Sequence, residues 1–217
     1  MPIRILSVFS LLVILPVATR AAVYIEPRLS LAEFSGTPSI GDFGVPLESA
    51  SPRLGGSLAV GTHLTSRVRI ELRFTTMGEI SVLKESPNWH VIPGEVILPA
   101  VRPYEFRQQT QLLSLALPLQ LLAHRGWTLC LVPILQAERS RVELIDQLFP
   151  LPAGYQPLIL RRDELIHRET REEVAASAEI ELGYQLNERV IAIVHYTYAP
   201  LATVNAHLFG AGVGVKF

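Results

Sequence analysis

The chain has 217 residues, a formal net charge of −1, and 49% hydrophobic against 18% charged residues. That length suits one domain, and the near-neutral balance, with no dense basic stripe, excludes a nucleic-acid partner. Its single cysteine, Cys130, excludes an internal disulfide framework, a cysteine-rich metal site and a CxxC redox centre.

Residues 1–22 read as a secretory signal peptide. Arg4 gives the positive start, Ile5 to Val17 the short apolar core, and Ala18, Ala21 and Ala22 the small residues at which a peptidase cuts. The apolar run is shorter than the about 20 residues a spanning helix needs. The expected organisation is a signal peptide over 1–22 and one domain over 23–217.

From Val23 onward the dominant signal is a period of two, the signature of a strand with two unlike faces. In Val23 to Phe34, Ile25, Leu29 and Leu31 oppose Glu26, Arg28 and Ser30. In Arg53 to Leu64, Leu54, Leu58, Val60 and Leu64 oppose Arg53, Ser57 and His63. Arg67 to Thr75 sets Val68, Ile70, Leu72 and Phe74 against Arg67, Arg69, Glu71 and Arg73; a helix would scatter those charges all round. Gln111 to Ala123 sets Leu113, Leu115, Leu117, Leu119 and Leu121 against Ser114, Ala116 and Gln120. In Trp127 to Glu138, Trp127, Leu129, Leu131 and Leu135 share a face, which turns Cys130 to the other. Glu173 to Leu186 sets Val174, Ile180, Leu182 and Tyr184 against Ser177, Glu179 and Glu181. Val190 to Tyr198 sets Val194, Tyr196 and Tyr198 against His195 and Thr197. Ala206 to Phe217 sets Phe209, Ala211, Val213, Val215 and Phe217 against Gly210, Gly212, Gly214 and Lys216.

These eight segments are about as long as membrane-crossing strands, which need about 9–11 residues, and longer than the about 5–6 usual in soluble proteins. Tight turns are expected at Thr65-Ser66, Ala123 to Gly126 and Asn187 to Arg189, with long links at 35–52, 78–108 and 139–172 and a shorter one at 199–205. Alternating short turns and long loops belong to transmembrane barrels. The predicted fold is an all-β, eight-stranded antiparallel up-and-down transmembrane β-barrel. Its apolar face meets lipid, with Trp127 and Tyr184 in one aromatic belt and Phe74, Tyr196, Tyr198 and Phe209 in the other.

The closing segment AHLFGAGVGVKF resembles the last strand of bacterial outer-membrane barrels, with alternate apolar residues ending on Phe217. The segment over 23–217 resembles the small OmpA/OmpX-type eight-stranded barrels, although the link at 78–108 exceeds what their smallest members carry. The resemblance implies an outer-membrane location, and reading of Phe217 by the barrel assembly machinery during biogenesis. Outer-membrane lipid is the expected partner, the expected state is a monomer, and no cofactor is implied.

An eight-stranded barrel has an interior just wide enough for side chains to fill. Glu26, Arg28, Arg69, Glu71, Arg73, Glu179, Glu181 and Lys216 are the candidates for a lumen charge network, opposite signs pairing because an unpaired charge there costs several kcal/mol. The expected function is non-enzymatic: a plugged barrel whose long outer loops serve surface structure or recognition. A narrow channel gated by breaking those pairs is the alternative. A second alternative is a lipid-A-modifying enzyme: His195-Tyr196-Thr197 faintly resembles the His-x-Ser arrangement of the deacylases, with Thr197 where the nucleophile would stand. The six histidines lack HxH or HExxH spacing, so no metal site is expected.

Overall fold

The computed structural model describes the backbone of residues 23–37, 39–40, 43–44, 51–92, 95–146 and 164–217, and side chains within 23–37, 51–82, 105–145 and 167–217. The expected signal peptide over 1–22 lies outside the described residues. Eight strands follow one another: β1 (Val23–Ser35), β2 (Arg53–His63), β3 (Arg69–Ile92), β4 (Glu95–Ala116, resuming over Leu119–His124), β5 (Trp127–Asp146), β6 (Glu164–Gln185), β7 (Val190–Pro200) and β8 (Asn205–Lys216). Each pairs antiparallel with its chain neighbours, and β1 pairs with β8, from Tyr24↔Lys216 to Ser35↔Asn205, so the sheet closes on itself. The chain forms a closed eight-stranded up-and-down barrel. Closure leaves no sheet edge within the ring, which a lipid-embedded sheet requires.

The turns at one rim are fixed by local chemistry. Arg125 and Gly126 both take positive φ (49° and 85°), the two-residue turn whose twist matches antiparallel strands. In the β2–β3 turn the Thr65 hydroxyl accepts hydrogen bonds from the Arg67 and Val68 amides at 3.2 and 3.1 Å. In the β6–β7 turn the Asn187 side chain accepts from Arg189 and Val190 at 2.9 and 3.0 Å. Pro118 interrupts β4 because it has no amide to give. The ladder steps round it, with Arg69 donating to the Pro118 carbonyl at 3.0 Å and Gln120 to that of Arg67 at 2.8 Å.

The long links of the sequence reading need correction. Residues 78–92, 95–108, 139–146 and 164–172 are strand: β3 runs to Ile92, β4 starts at Glu95, β5 runs to Asp146 and β6 starts at Glu164, while 147–163 lie outside the described residues. A register shift between Met77 and Glu79 resets the alternation of β3, so Met77, Ile80 and Val82 all point inward. Read with an unbroken period, that stretch loses its strand pattern. The barrel is therefore lopsided. β3, β5 and β6 have 20–24 residues and β4 has 22 before its break at Pro118, while β1, β2, β7 and β8 have 11–13, so a four-stranded wall rises above one side.

Candidate functional site

The lumen is filled in two storeys. Nearer the tight turns stands a charged one. Arg28, 3% exposed, reaches Glu179 and Glu181 at 2.8 Å each and also pairs with Glu26. Arg73 bonds Glu71 through Nε at 2.7 Å and Glu179 through Nη1 at 3.0 Å. Arg69 reaches Glu181 at 2.5 Å and lies 5.3 Å from the centre of the Tyr24 ring, whose hydroxyl donates to Glu71 at 2.5 Å. The large charged residues come from β1, β3 and β6. On four of the neighbouring strands the in-register inward residues are small, with Gly212 on β8, Ser57, Ala59 and Gly61 on β2, Ser114 and Ala116 on β4, and Cys130 and Val132 on β5, while β7 sets His195 and Thr197 beside Glu181 and Glu179. The absence of a side chain on β8 is a packing requirement. A Cβ on Gly212 would stand 2.7 Å from Cγ of Arg28 and from the Pro27 carbonyl oxygen.

Seven of the eight residues proposed for this network are together in it; Lys216 is not. It sits exposed at the tight-turn rim, and no ion pair joins it to the cluster among the described residues. Parity alone placed Lys216 on the inner face, but the end of β8 lies at the mouth, where inward means toward water. Glu26, Glu71 and Glu181 also bring carboxylate oxygens within 4.8 Å of one another, a possible cation cradle. Three guanidiniums already fill that space and neutralise three of the four carboxylates.

Above the charges lies a storey the sequence reading missed. Phe34, Met77, Ile80, Val82, Phe106, Leu112, Val142, Leu144, Val204 and Leu208 pack with Ala32, Ala199 and Ala206 into one apolar cluster. Polar links tie it to the wall: Thr110 and Ser140 hydroxyls lie 2.7 Å apart, and Ser177 donates to Gln136 at 2.9 Å. The β7–β8 loop folds inward over this layer. Its Ala202 amide donates to Glu138 at 2.7 Å, the Thr203 hydroxyl donates to Gln108 at 3.0 Å, and Val204 is 4% exposed. The signal was present in principle, since Val204 and Leu208 are apolar at a rim otherwise read as wet. What it would meet depended on β3 and β5 continuing upward.

His195 lies between the storeys, with its Nε2 3.4 Å from the Ser30 hydroxyl and its Nδ1 3.5 Å from Glu179. Thr197 donates to the same carboxylate at 2.6 Å. Ser30, rather than Thr197, therefore faces the free side of the imidazole, in the order of a nucleophile, base and orienting acid. All four side chains are buried, and the adjoining cavity measures about 30 Å³, room for a few waters only. A larger cavity of about 220 Å³ opens at the tight-turn mouth.

The exterior is the inverse of this interior. Leu29, Leu54, Leu122 and Val174 are each 64–66% exposed, and apolar residues of every strand face outward round the ring. Trp127 and Tyr184 pair in register at the tight-turn rim, their rings 4.7 Å apart. Tyr196 and Phe209 pair higher up at 4.8 Å, with Phe74 and Tyr198 also outward. From Phe209 on β8 to Phe217, one residue past its end, is eight residues of extended chain, about 27 Å. Allowing for a tilt of about 40°, that is about 20 Å of height, close to the about 25 Å apolar band of such barrels. Charges buried inside and leucines bare outside make sense only in lipid. The chain is a closed eight-stranded transmembrane β-barrel.

No family model matches the barrel's sequence, and no curated protein matches it. Solved structures resemble it in overall shape. The attachment invasion locus protein Ail of Yersinia pestis has 11% identity and a TM-score of 0.47, covering 91% of this chain and 97% of that one. The N-terminal β-barrel domain of OprF from Pseudomonas aeruginosa has 14% identity and a TM-score of 0.41, covering 91% and 100%. The outer-membrane protease OmpT of Escherichia coli has 11% identity and a TM-score of 0.45, covering 90% and 97%. What makes the chain a transmembrane barrel is its own closed sheet and apolar exterior, not these likenesses.

Proposed function

We propose that the barrel is a non-enzymatic, monomeric scaffold, exported by a cleaved leader over 1–22, that holds its four-stranded wall above the outer-membrane surface for recognition. The observation that carries this reading is the double closure of the lumen: an ion-paired storey below and an apolar one, lidded by the β7–β8 loop, above. A chain that fills its bore with side chains gives up transport and keeps rigidity, which suits a support for surface-exposed groups. The hydrolytic alternative has Ser30, His195 and Glu179 in its favour, but the buried site adjoins a cavity of about 30 Å³, far smaller than an acyl chain needs. On assembly, Phe217 is exposed outward at the tight-turn rim, its amide bonded to the Val23 carbonyl at 2.9 Å, where the assembly machinery can read it.

The test is conductance of the refolded chain in planar bilayers. A plugged scaffold gives no steady ohmic steps, whereas steady steps from the wild-type chain would sink the reading in favour of a gated channel. Lipid A incubated with the barrel should show no change in mass.

A further inference from the structure

The cavity at the tight-turn mouth is ringed by cations that the fold leaves unused. It measures about 220 Å³ and is lined by Arg67 from the β2–β3 turn, Arg189 from the β6–β7 turn and Lys216 from the end of β8. All three are exposed, and among the described residues none has a side-chain hydrogen bond or a carboxylate partner. That contrasts with the lumen, where Arg28, Arg69 and Arg73 are each bonded to two or more glutamates. It contrasts also with the wall, where Arg141 and Arg168 share Glu143 at 2.7 and 2.9 Å. Glu188 is the one acid lining the cavity, against those three free cations. Arg69 forms part of the lining and stands between the cavity and the excess negative charge of the buried network.

Three exposed cations are brought to one concavity with a single carboxylate, that of Glu188, among them. Low-dielectric walls focus their field on whatever enters. Two guanidinium forks and one ammonium offer donors suited to a tetrahedral oxyanion, with Gln120 and Ser66 beside them as neutral donors. The volume exceeds a single phosphate group but falls below the about 300 Å³ at which drug-sized pockets begin. We propose that this periplasmic mouth is a binding site for a phosphate ester of about the size of glycerol phosphate. The same chemistry is carried by a soluble periplasmic phosphate ester and by the headgroup of an anionic phospholipid in the inner leaflet beside the rim. The site does not depend on whether the lumen conducts.

The experiment uses the whole refolded barrel, its fold checked by faster migration in unboiled gel samples. In zwitterionic detergent, calorimetric titration with inorganic phosphate and with glycerol phosphate should show saturable binding that weakens steeply between low and moderate salt. Arg67→Gln combined with Arg189→Gln should weaken it at least tenfold, while Arg139→Gln on the outer wall leaves it unchanged. Repeating the titration in nanodiscs separates the two sources. If phosphatidylglycerol competes the free ester away and phosphatidylcholine does not, the headgroup is the resident ligand. If both bilayers leave ester binding intact, the ligand is soluble. No saturable binding at millimolar ester, or binding indifferent to the loss of both arginines, overturns the proposal.

Discussion

Arg28→Met is the perturbation that interrogates the lumen most directly. Arg28 is 3% exposed and bonds three carboxylates, those of Glu26, Glu179 and Glu181. Methionine keeps much of the stem's volume, so the change removes charge and hydrogen bonds more than packing. Four buried carboxylates would then face two guanidiniums, those of Arg69 and Arg73. Removing one partner of a buried pair costs about 3–5 kcal/mol, because the charges left behind can neither pair nor hydrate. The lower figure alone is a shift of more than a hundredfold in the folding equilibrium. Reversible urea unfolding in detergent, followed by the gel shift and by tryptophan fluorescence, measures it. Adding Glu181→Gln should recover part of the loss, since it withdraws one stranded charge, and the two changes should be non-additive. A loss below about 1 kcal/mol, no greater than that of Arg139→Ala on the exposed wall, would refute the idea that buried pairing holds the lower storey together.

Three further outcomes follow from particular contacts. Gly212→Val puts its Cβ 2.7 Å from Arg28 Cγ and the Pro27 carbonyl oxygen; overpacking of this kind costs about 1–3 kcal/mol or more, and the refolding yield should fall well below that of Gly56→Ala, whose nearest neighbour stands at 3.5 Å. On the wall, the hydrogen bond from Arg141 holds the Glu143 carboxyl below its ordinary range, with the charges of Arg141 and Arg168 adding to it. A depressed carboxyl contributes stability above its unfolded value and loses it as pH falls through the folded one; the Arg141 and Arg168 side chains that pair with Glu143 are half exposed, at 50% and 52%, so solvent screening keeps the effect on stability small, and the check is an NMR titration in which Arg141→Gln raises the Glu143 pKa more than Arg168→Gln does. Deleting Phe217 should cut the amount of barrel assembled in cells while leaving refolding in detergent nearly unchanged, measured by membrane fractionation and by the gel shift.

How far the sequence could be read varied along the chain. Alternation in β1, β6 and β8 was unmistakable, because an inner face of charge and glycine meets an outer face of leucine, valine and phenylalanine. It was enough to place Glu26, Arg28, Glu179 and Glu181 inside. It could not say that Arg28 would reach β6 across the lumen, since that depends on the register of strands far apart in sequence. In β3 the alternation failed at Gly78, where the irregularity makes Met77 and Ile80 both inward. A pattern counted in twos cannot see past such a step, so the upper half of β3, with the apolar storey built on it, reads as loop in the sequence. Ser30 was missed as a neighbour of His195 for a related reason. The two are joined only through Gly210, which pairs with both.

Cys130 gains a use from where it lies. The chain's one thiol is 5% exposed and belongs to the lining of the tight-turn cavity, beneath Arg67, Arg189 and Lys216. A small cationic thiol reagent must therefore pass three like charges to reach it, and an anionic one is drawn in. The unaltered protein thus carries its own reporter, at a single chemically unique atom, for the hydration and electrical sign of the tight-turn end of its bore. Labelling rates with reagents of opposite charge would read that sign without a single engineered residue.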